Sequence, residues 1–205
     1  MTKNLYTIGY SKHSLDSFIN ALNSYRINAV ADVRSSPLSR FKSEFNKDRL
    51  SDYLDSKGIK YVFLGKECGG RFSDRDCYVN GKVEYRLIAQ TKIFQKGLER
   101  IREGLRKYNV ALMCAENDPI YCHRMILICR NLKKYDVPIY HILNIDGIES
   151  QEQAECRLLK LFNLDQLRLF DLENDTLEQA YDMQSENIVF TGDKYQENRG
   201  DDLNG

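Results

Sequence analysis

Cys114 and Cys122 bracket a short polar run, Ala115-Glu116-Asn117-Asp118-Pro119-Ile120-Tyr121, and His123 and Arg124 follow at once. Two thiols, a carboxylate and an imidazole within ten residues are a set that performs either nucleophilic thiol chemistry or metal ligation. Asp118 has N-cap chemistry and Pro119 suits the first helical position, so a helix is expected from there to about Tyr135. In that helix Cys122 would stand at about the fourth position, near free backbone N–H groups and the positive end of the dipole. Arg124 and His123 add positive charge, which lowers a thiol pKa. On this reading Cys122 is the nucleophile, and His123 or Glu116 assists as acid or base. Cys114, at a strand end, is a resolving thiol, a second metal ligand or a buried strand residue. A free cysteine is equally at home as a small buried hydrophobe.

A second group suits anions. Asp32 and Arg34 lie two apart on an extended segment and point to the same side, so the carboxylate can hold the guanidinium while its fork grips a ligand. Arg40, Arg71 and Arg124 are further candidates for binding an anionic substrate. Tyr10 and Ser11 belong to the same expected rim, with Tyr10, Phe41 and Tyr121 able to stack on a base or to serve as packing. The competing reading is a metal site of Cys114, Cys122 and His123 with Cys68 or Cys77 as fourth ligand. Structural zinc sites usually pair ligands two to four residues apart, whereas seven residues separate Cys114 from Cys122. His141, inside a strand pattern, reads as a hydrogen-bonded core histidine, and Cys129 and Cys156 as helix core.

Turn-bounded apolar runs predict strands at Leu5–Gly9, Ala29–Val33, Lys60–Leu64, Asn109–Cys114 and Pro138–Leu143. Between them, helical spacing predicts helices from Ser14 to Tyr25, Lys47 to Lys57 and Thr91 to Tyr108, with another over Gln151–Leu161 beyond the last strand. Leu15, Phe18, Ile19 and Leu22 form the buried face of the first; Ile93, Phe94, Leu98, Ile101 and Leu105 form that of the third. Alternating strands and helices define an α/β fold, a mostly parallel sheet with helices on both faces in a Rossmann-like three-layer sandwich. Ligands of such sheets bind beyond the carboxyl ends of the strands, where the loops carrying the candidate site residues fall. The first strand is expected near the centre, since its loop must reach the others. Residues 1–172 are read as one domain and 173–205 as an acidic arm with a mobile end.

With 205 residues the chain suits one domain. No apolar run approaches the roughly 20 residues of a membrane span. The amino terminus enters a strand pattern without a signal-like apolar region, so a cytoplasmic location is expected, with thiols rather than disulfides. The net charge of zero hides a division: residues 1–135 carry 25 Lys+Arg against 14 Asp+Glu, and residues 136–205 carry 5 against 16. The basic part suits a small anionic or nucleic-acid ligand, unless the two parts simply neutralise each other. No membrane partner and no cofactor is expected.

Thr7-Ile8-Gly9-Tyr10-Ser11, Ala31-Asp32-Val33-Arg34 with Pro37 and Arg40, Leu64-Gly65 with Gly69-Gly70-Arg71, and Cys114-Ala115-Glu116 with Cys122-His123-Arg124 together resemble the domain of unknown function 488 family. The resemblance covers most of residues 4–145. It implies an α/β fold and a site using the paired cysteines, the Asp–Arg pair and the His–Arg dipeptide; it implies no settled activity. Locally, Ile120-Tyr121-Cys122-His123-Arg124 is similar to the active-site motif of alkylguanine DNA alkyltransferases, over those few residues alone. The strand-end Cys114 invites comparison with rhodaneses and tyrosine phosphatases, but the phosphatases need arginine six residues on, where this chain has Ile120. Three functional classes therefore stand open: a cysteine-centred enzyme, a metal site and a non-catalytic nucleic-acid-binding module.

Overall fold

Five short apolar segments form the parallel strands expected of them: β1 (Leu5–Gly9), β2 (Ala29–Asp32), β3 (Lys60–Phe63), β6 (Val110–Cys114) and β7 (Ile139–Ile142). β2 and β6 are buried at every residue, as strands covered on both faces must be. The structure, a computed structural model, describes residues 3–39, 41–143, 147–165 and 173–189. Arg40 and the tail expected to be mobile lie outside the described residues. A sixth strand, β8 (Ile148–Ser150), closes one edge antiparallel to β7, and the sheet order is β3-β2-β6-β1-β7-β8. β1 is thus one of the two central strands. A separate hairpin of β4 (Tyr78–Val79) and β5 (Lys82–Val83) turns at Asn80-Gly81, both in the left-handed region at φ +50° and +76°.

Helices α1 (Leu15–Ser24) and α2 (Lys47–Ser56) cover one face, burying Phe18, Ile19, Leu22, Leu50 and Leu54. Ser14 caps α1, with Ser17 completing a capping box. The opposite face receives α5 (Lys92–Lys107), whose Phe94, Leu98, Ile101 and Leu105 are buried while Ile93 is largely exposed. Two short helices, α3 (Gly65–Cys68) and α4 (Tyr85–Gln90), precede it. Connections that step along the sheet towards β3 run over the α1/α2 face, and those that step the other way run over the α5 face. That segregation follows from the handedness of parallel crossovers. The chain therefore leaves β1 and β6, which are neighbours, towards opposite faces, and their carboxyl ends form the switch point of the sheet.

The helix expected from Pro119 to Tyr135 is broken. Pro119–Tyr121 is a single 3₁₀ turn capped by Asp118, and Cys122 is extended at φ −136°, ψ 139°. Helical structure resumes at His123, runs as a π-helix through Arg124–Cys129, and ends as α6 (Arg130–Leu132) and a 3₁₀ turn at Lys133–Tyr135. Beyond β8 come α7 (Gln151–Leu161) and α8 (Glu173–Ile188). α8 lies within the segment read as an acidic arm, and its Ala180 and Tyr181 are fully buried against the α5 face. Among the described residues no helix is long and apolar enough to cross a membrane.

His141 is buried in β7 between Thr7 Oγ1, 2.8 Å from Nδ1, and Gln151 Oε1, 2.9 Å from Nε2. Burial, aided by the nearby Arg124 charge, holds its pKa down to about 3. The unfolded chain, with a histidine pKa of about 6.5, binds a proton that the native state excludes. The stability this contributes is complete above pH 6.5 and declines by about 1.4 kcal/mol per pH unit as the pH falls towards 3. A His141→Asn variant is expected to lack that decline between pH 6.5 and 5 in urea denaturation; parallel curves for the two proteins would assign the proton elsewhere.

Candidate functional site

Cys114 ends β6, and the loop that follows is tied to the end of β1: Tyr10 N donates to Cys114 O at 3.0 Å and Ser11 N to Ala115 O at 3.0 Å. The loop crosses Gly9 so closely that a Cβ there would stand 1.8 Å from Glu116 O. Only glycine allows that approach. Arg124, fully buried, reaches back from the π-helix, donating from Nε to Thr7 Oγ1 at 3.1 Å and from its two terminal nitrogens to Glu116 O and, at 2.8 Å, Asn117 O. These contacts return the chain to the sheet, so that Cys122 and His123 face Cys114.

One nitrogen, one carboxylate oxygen and two sulfurs converge there. The ligand atoms of Cys114, Glu116, Cys122 and His123 all lie within 4.8 Å of one another. Glu116 Oε2 is 2.9 Å from Cys114 Sγ and 3.1 Å from Cys122 Sγ, and His123 Nδ1 is 3.7 and 3.8 Å from the two sulfurs. His123 Nε2 is 2.9 Å from Val33 O. A carbonyl can only accept, so Nε2 carries the proton and Nδ1 faces the sulfurs. Both thiols and the imidazole are buried, while Glu116 is exposed at the mouth with its carboxylate turned inward. Gly70 closes over the ring: a Cβ at this position would be 3.0 Å from His123 Cγ and 3.1 Å from the Tyr85 hydroxyl.

The break at Cys122 preserves the helix-terminus effect by another route. Cys122 O accepts from Met125 N and Ile126 N, so the residue stands immediately before the helix rather than at its fourth position. Burial opposes ionisation of Cys122, but the Cys114 thiol and the charges of Arg124 and His123 outweigh it and hold this thiol well below its ordinary range. Cys114 is driven the opposite way by Cys122 and by burial, and keeps its proton. Burial, then the Cys122 charge, raises the Glu116 carboxyl. Burial opposes a charge on His123, yet Cys122 and Glu116 raise its pKa overall.

The arginines expected to grip an anion have other partners. Arg34 forks onto Asp32 at 2.6–3.1 Å, donates to Phe45 O at 2.9 Å and lies over the Tyr10 ring. Tyr61 adds a 2.6 Å bond to Asp32. This pair is buried, and Arg34 Nη1 has no hydrogen-bond partner among the described residues. Tyr10 is buried as well, stacked on Phe45 at 4.5 Å, whereas Phe41 and Tyr121 are exposed. Ser11 and Arg71 are exposed, and the Arg71 backbone is fixed by Ser35 at 2.8 Å. Cys68 is outside the cluster: it packs under α5, where a Cβ on Gly97 would stand 2.5 Å from its sulfur. The fourth donor is Glu116, which the spacing of cysteines alone could not single out. Tyr85, on the wall of the site, was not read from the sequence, and its pattern there is that of any packed tyrosine.

Residues 14–130 match the profile of the family described as Domain of unknown function DUF488. The chain belongs to that family. No curated protein and no solved structure matches it. The DUF488 segment contains all four donors but begins after Gly9 and ends before β7, so the strands that flank the centre on one side lie outside it.

Gly9→Ala is expected to cost roughly 2–3 kcal/mol in urea denaturation, because the displaced atoms are backbone and the loop is tied down by Arg124. A loss under about 0.5 kcal/mol would show that the Glu116 segment yields freely.

Proposed function

We propose that Cys114, Cys122 and His123 hold one zinc-type metal ion, with Glu116 as the fourth ligand or as the base at an open position, and that this centre activates water for a hydrolytic reaction. The convergence of four donor atoms within 4.8 Å carries the reading. Two sulfurs and an imidazole are a borderline-soft set that suits zinc better than magnesium or calcium. The Nε2–H bond from His123 to Val33 O is the outer contact that metal-ligating histidines usually make, fixing the ring so that Nδ1 is the donor atom. A His/Cys/Cys set with a carboxylate that moves protons is also the arrangement by which zinc deaminases activate water. The basic balance of residues 1–135 favours an anionic substrate, a nucleotide or a nucleic acid among them.

A second reading is favoured by one observation, the depressed Cys122 thiol at the head of a helix. In a metal-free protein that thiolate is a nucleophile, with Cys114 as its neighbouring thiol. The two readings differ in metal content. Protein purified without chelator is expected to hold about one zinc per chain, to retain little of it as Cys122→Ser or His123→Ala, and to keep it within about 100-fold of the parent affinity as Glu116→Gln. Failure of the parent protein to bind zinc at micromolar concentration would leave the nucleophile reading.

Zinc binding must displace the proton that Cys114 keeps, so affinity is expected to rise with pH, by about one proton per metal from that thiol while Cys122 is already ionised. Competition against a chromophoric chelator between pH 6 and 8 measures this. An affinity independent of pH over that range would show that Cys114 is not a ligand.

A further inference from the structure

The loop from Ala115 to Cys122 has no sheet or α-helix of its own to hold it, and two of its anchors come from α7 and α8. Arg157 of α7 forks onto the Asp118 carboxylate at 2.9 and 3.0 Å and is itself held by Glu149 at 2.6 and 2.8 Å. Gln184 of α8, almost fully buried, donates from Nε2 to Ile120 O at 2.7 Å. Both anchors lie beyond the DUF488 match, which ends at residue 130.

The Ile120 carbonyl decides between two conformations. In a continuous helix from Pro119 it would accept the N–H of Arg124, four residues on, and Cys122 would turn onto the helix surface. Because Cys122 is extended, Ile120 O is left without that partner inside the protein, and a buried carbonyl must find another. Gln184 supplies it. Asp118, meanwhile, caps the turn through Ile120 N at 3.2 Å, and Arg157 keeps that carboxylate in place. The helix bearing Gln184 is registered by a buried network: Gln151 Nε2 donates to the Tyr181 hydroxyl at 2.6 Å, and Tyr181 donates to Glu155 at 2.8 Å.

We infer that Gln184 and Arg157 are positioning residues of the cysteine centre, holding the chain broken at Cys122 so that its sulfur meets Cys114, Glu116 and His123. This rests on reading the four-donor cluster as the reactive centre, but the geometry it concerns is that of the two thiols and can be read without metal.

The test uses the full chain, stripped of metal, treated with the diazene oxidant diamide, which takes the two thiol hydrogens as the Cys114–Cys122 disulfide forms. Formation is followed by peptide mass spectrometry. Gln184→Met, which keeps the bulk and loses the donor, is expected to slow this disulfide at least about tenfold, since small misplacements of reacting atoms have effects of that order. Zinc affinity of the same variant should fall by about 10-fold or more. Arg157→Gln, at a partly exposed position, should act in the same direction and serves if Gln184→Met does not fold. A parent-like rate in either folded variant would overturn the inference, as would slowing that matches the fraction unfolded in urea titrations of the same sample. A parent protein that binds no zinc would remove the metal reading alone, because the disulfide rates still decide this one.

Discussion

A guanidinium cannot shed its charge inside a protein, so the complete burial of Arg124 obliges the surrounding chain to supply acceptors. Two of them are the carbonyls of Glu116 and Asn117, and this requirement draws the cysteine loop down onto β1, where Gly9 must be without a side chain. The third is the Thr7 hydroxyl. Gln151 Oε1 can only accept, so His141 donates from Nε2, and the neutral ring takes the proton of the Thr7 hydroxyl at Nδ1. The amide of Gln151 is then oriented with its N–H groups towards Glu155 and Tyr181. One buried cation thus heads a hydrogen-bond chain that runs from the thiol centre to the carboxyl-terminal helices, and its charge adds to the burial that keeps His141 neutral.

The covered strands were legible because they are mostly apolar, and the helices because α1, α2 and α5 carry their apolar residues at three- and four-residue spacing. Strand order could not be read from the sequence; in the structure it places the carboxyl ends of β1 and β6 side by side. Cys122 was misplaced within its helix because Asp118 and Pro119 are sound start signals for a helix that the fold then interrupts. The partner that interrupts it, Gln184, is 64 residues away and chemically unremarkable. α8 was read as an arm because its buried stripe, Thr176, Ala180, Tyr181 and Gln184, is half polar and sits among carboxylates. The Asn80-Gly81 turn carried a plain hairpin signal between strands only two residues long, too short to show alternation.

The division of charge along the chain is partly internal. Glu178 and Asp182 of α8 pair with Arg130, Asp182 also with Arg86, and Glu155 of α7 pairs with Lys133. The carboxyl-terminal helices therefore neutralise cations on the α5 face of the sheet. The acidic segment and the basic body are consequently complementary in folding.

All four donors fall between residues 114 and 123, yet the interval between the two cysteines is long for a metal site. Pairs two residues apart fold their own loop around the ion, with the backbone N–H groups of the turn supporting the sulfurs. Opening the interval from two residues to seven raises the closure entropy by only about 1 kcal/mol, since that term grows with the logarithm of length. The larger consequence is in direction: a seven-residue loop can present its second thiol at many angles. Here the angle is set from outside, by Arg124 on the carbonyls of Glu116 and Asn117, by Arg157 on Asp118 and by Gln184 on Ile120. The spacing rule that speaks against a metal at Cys114 and Cys122 describes self-supporting loops, and this one is supported by three other elements of the fold.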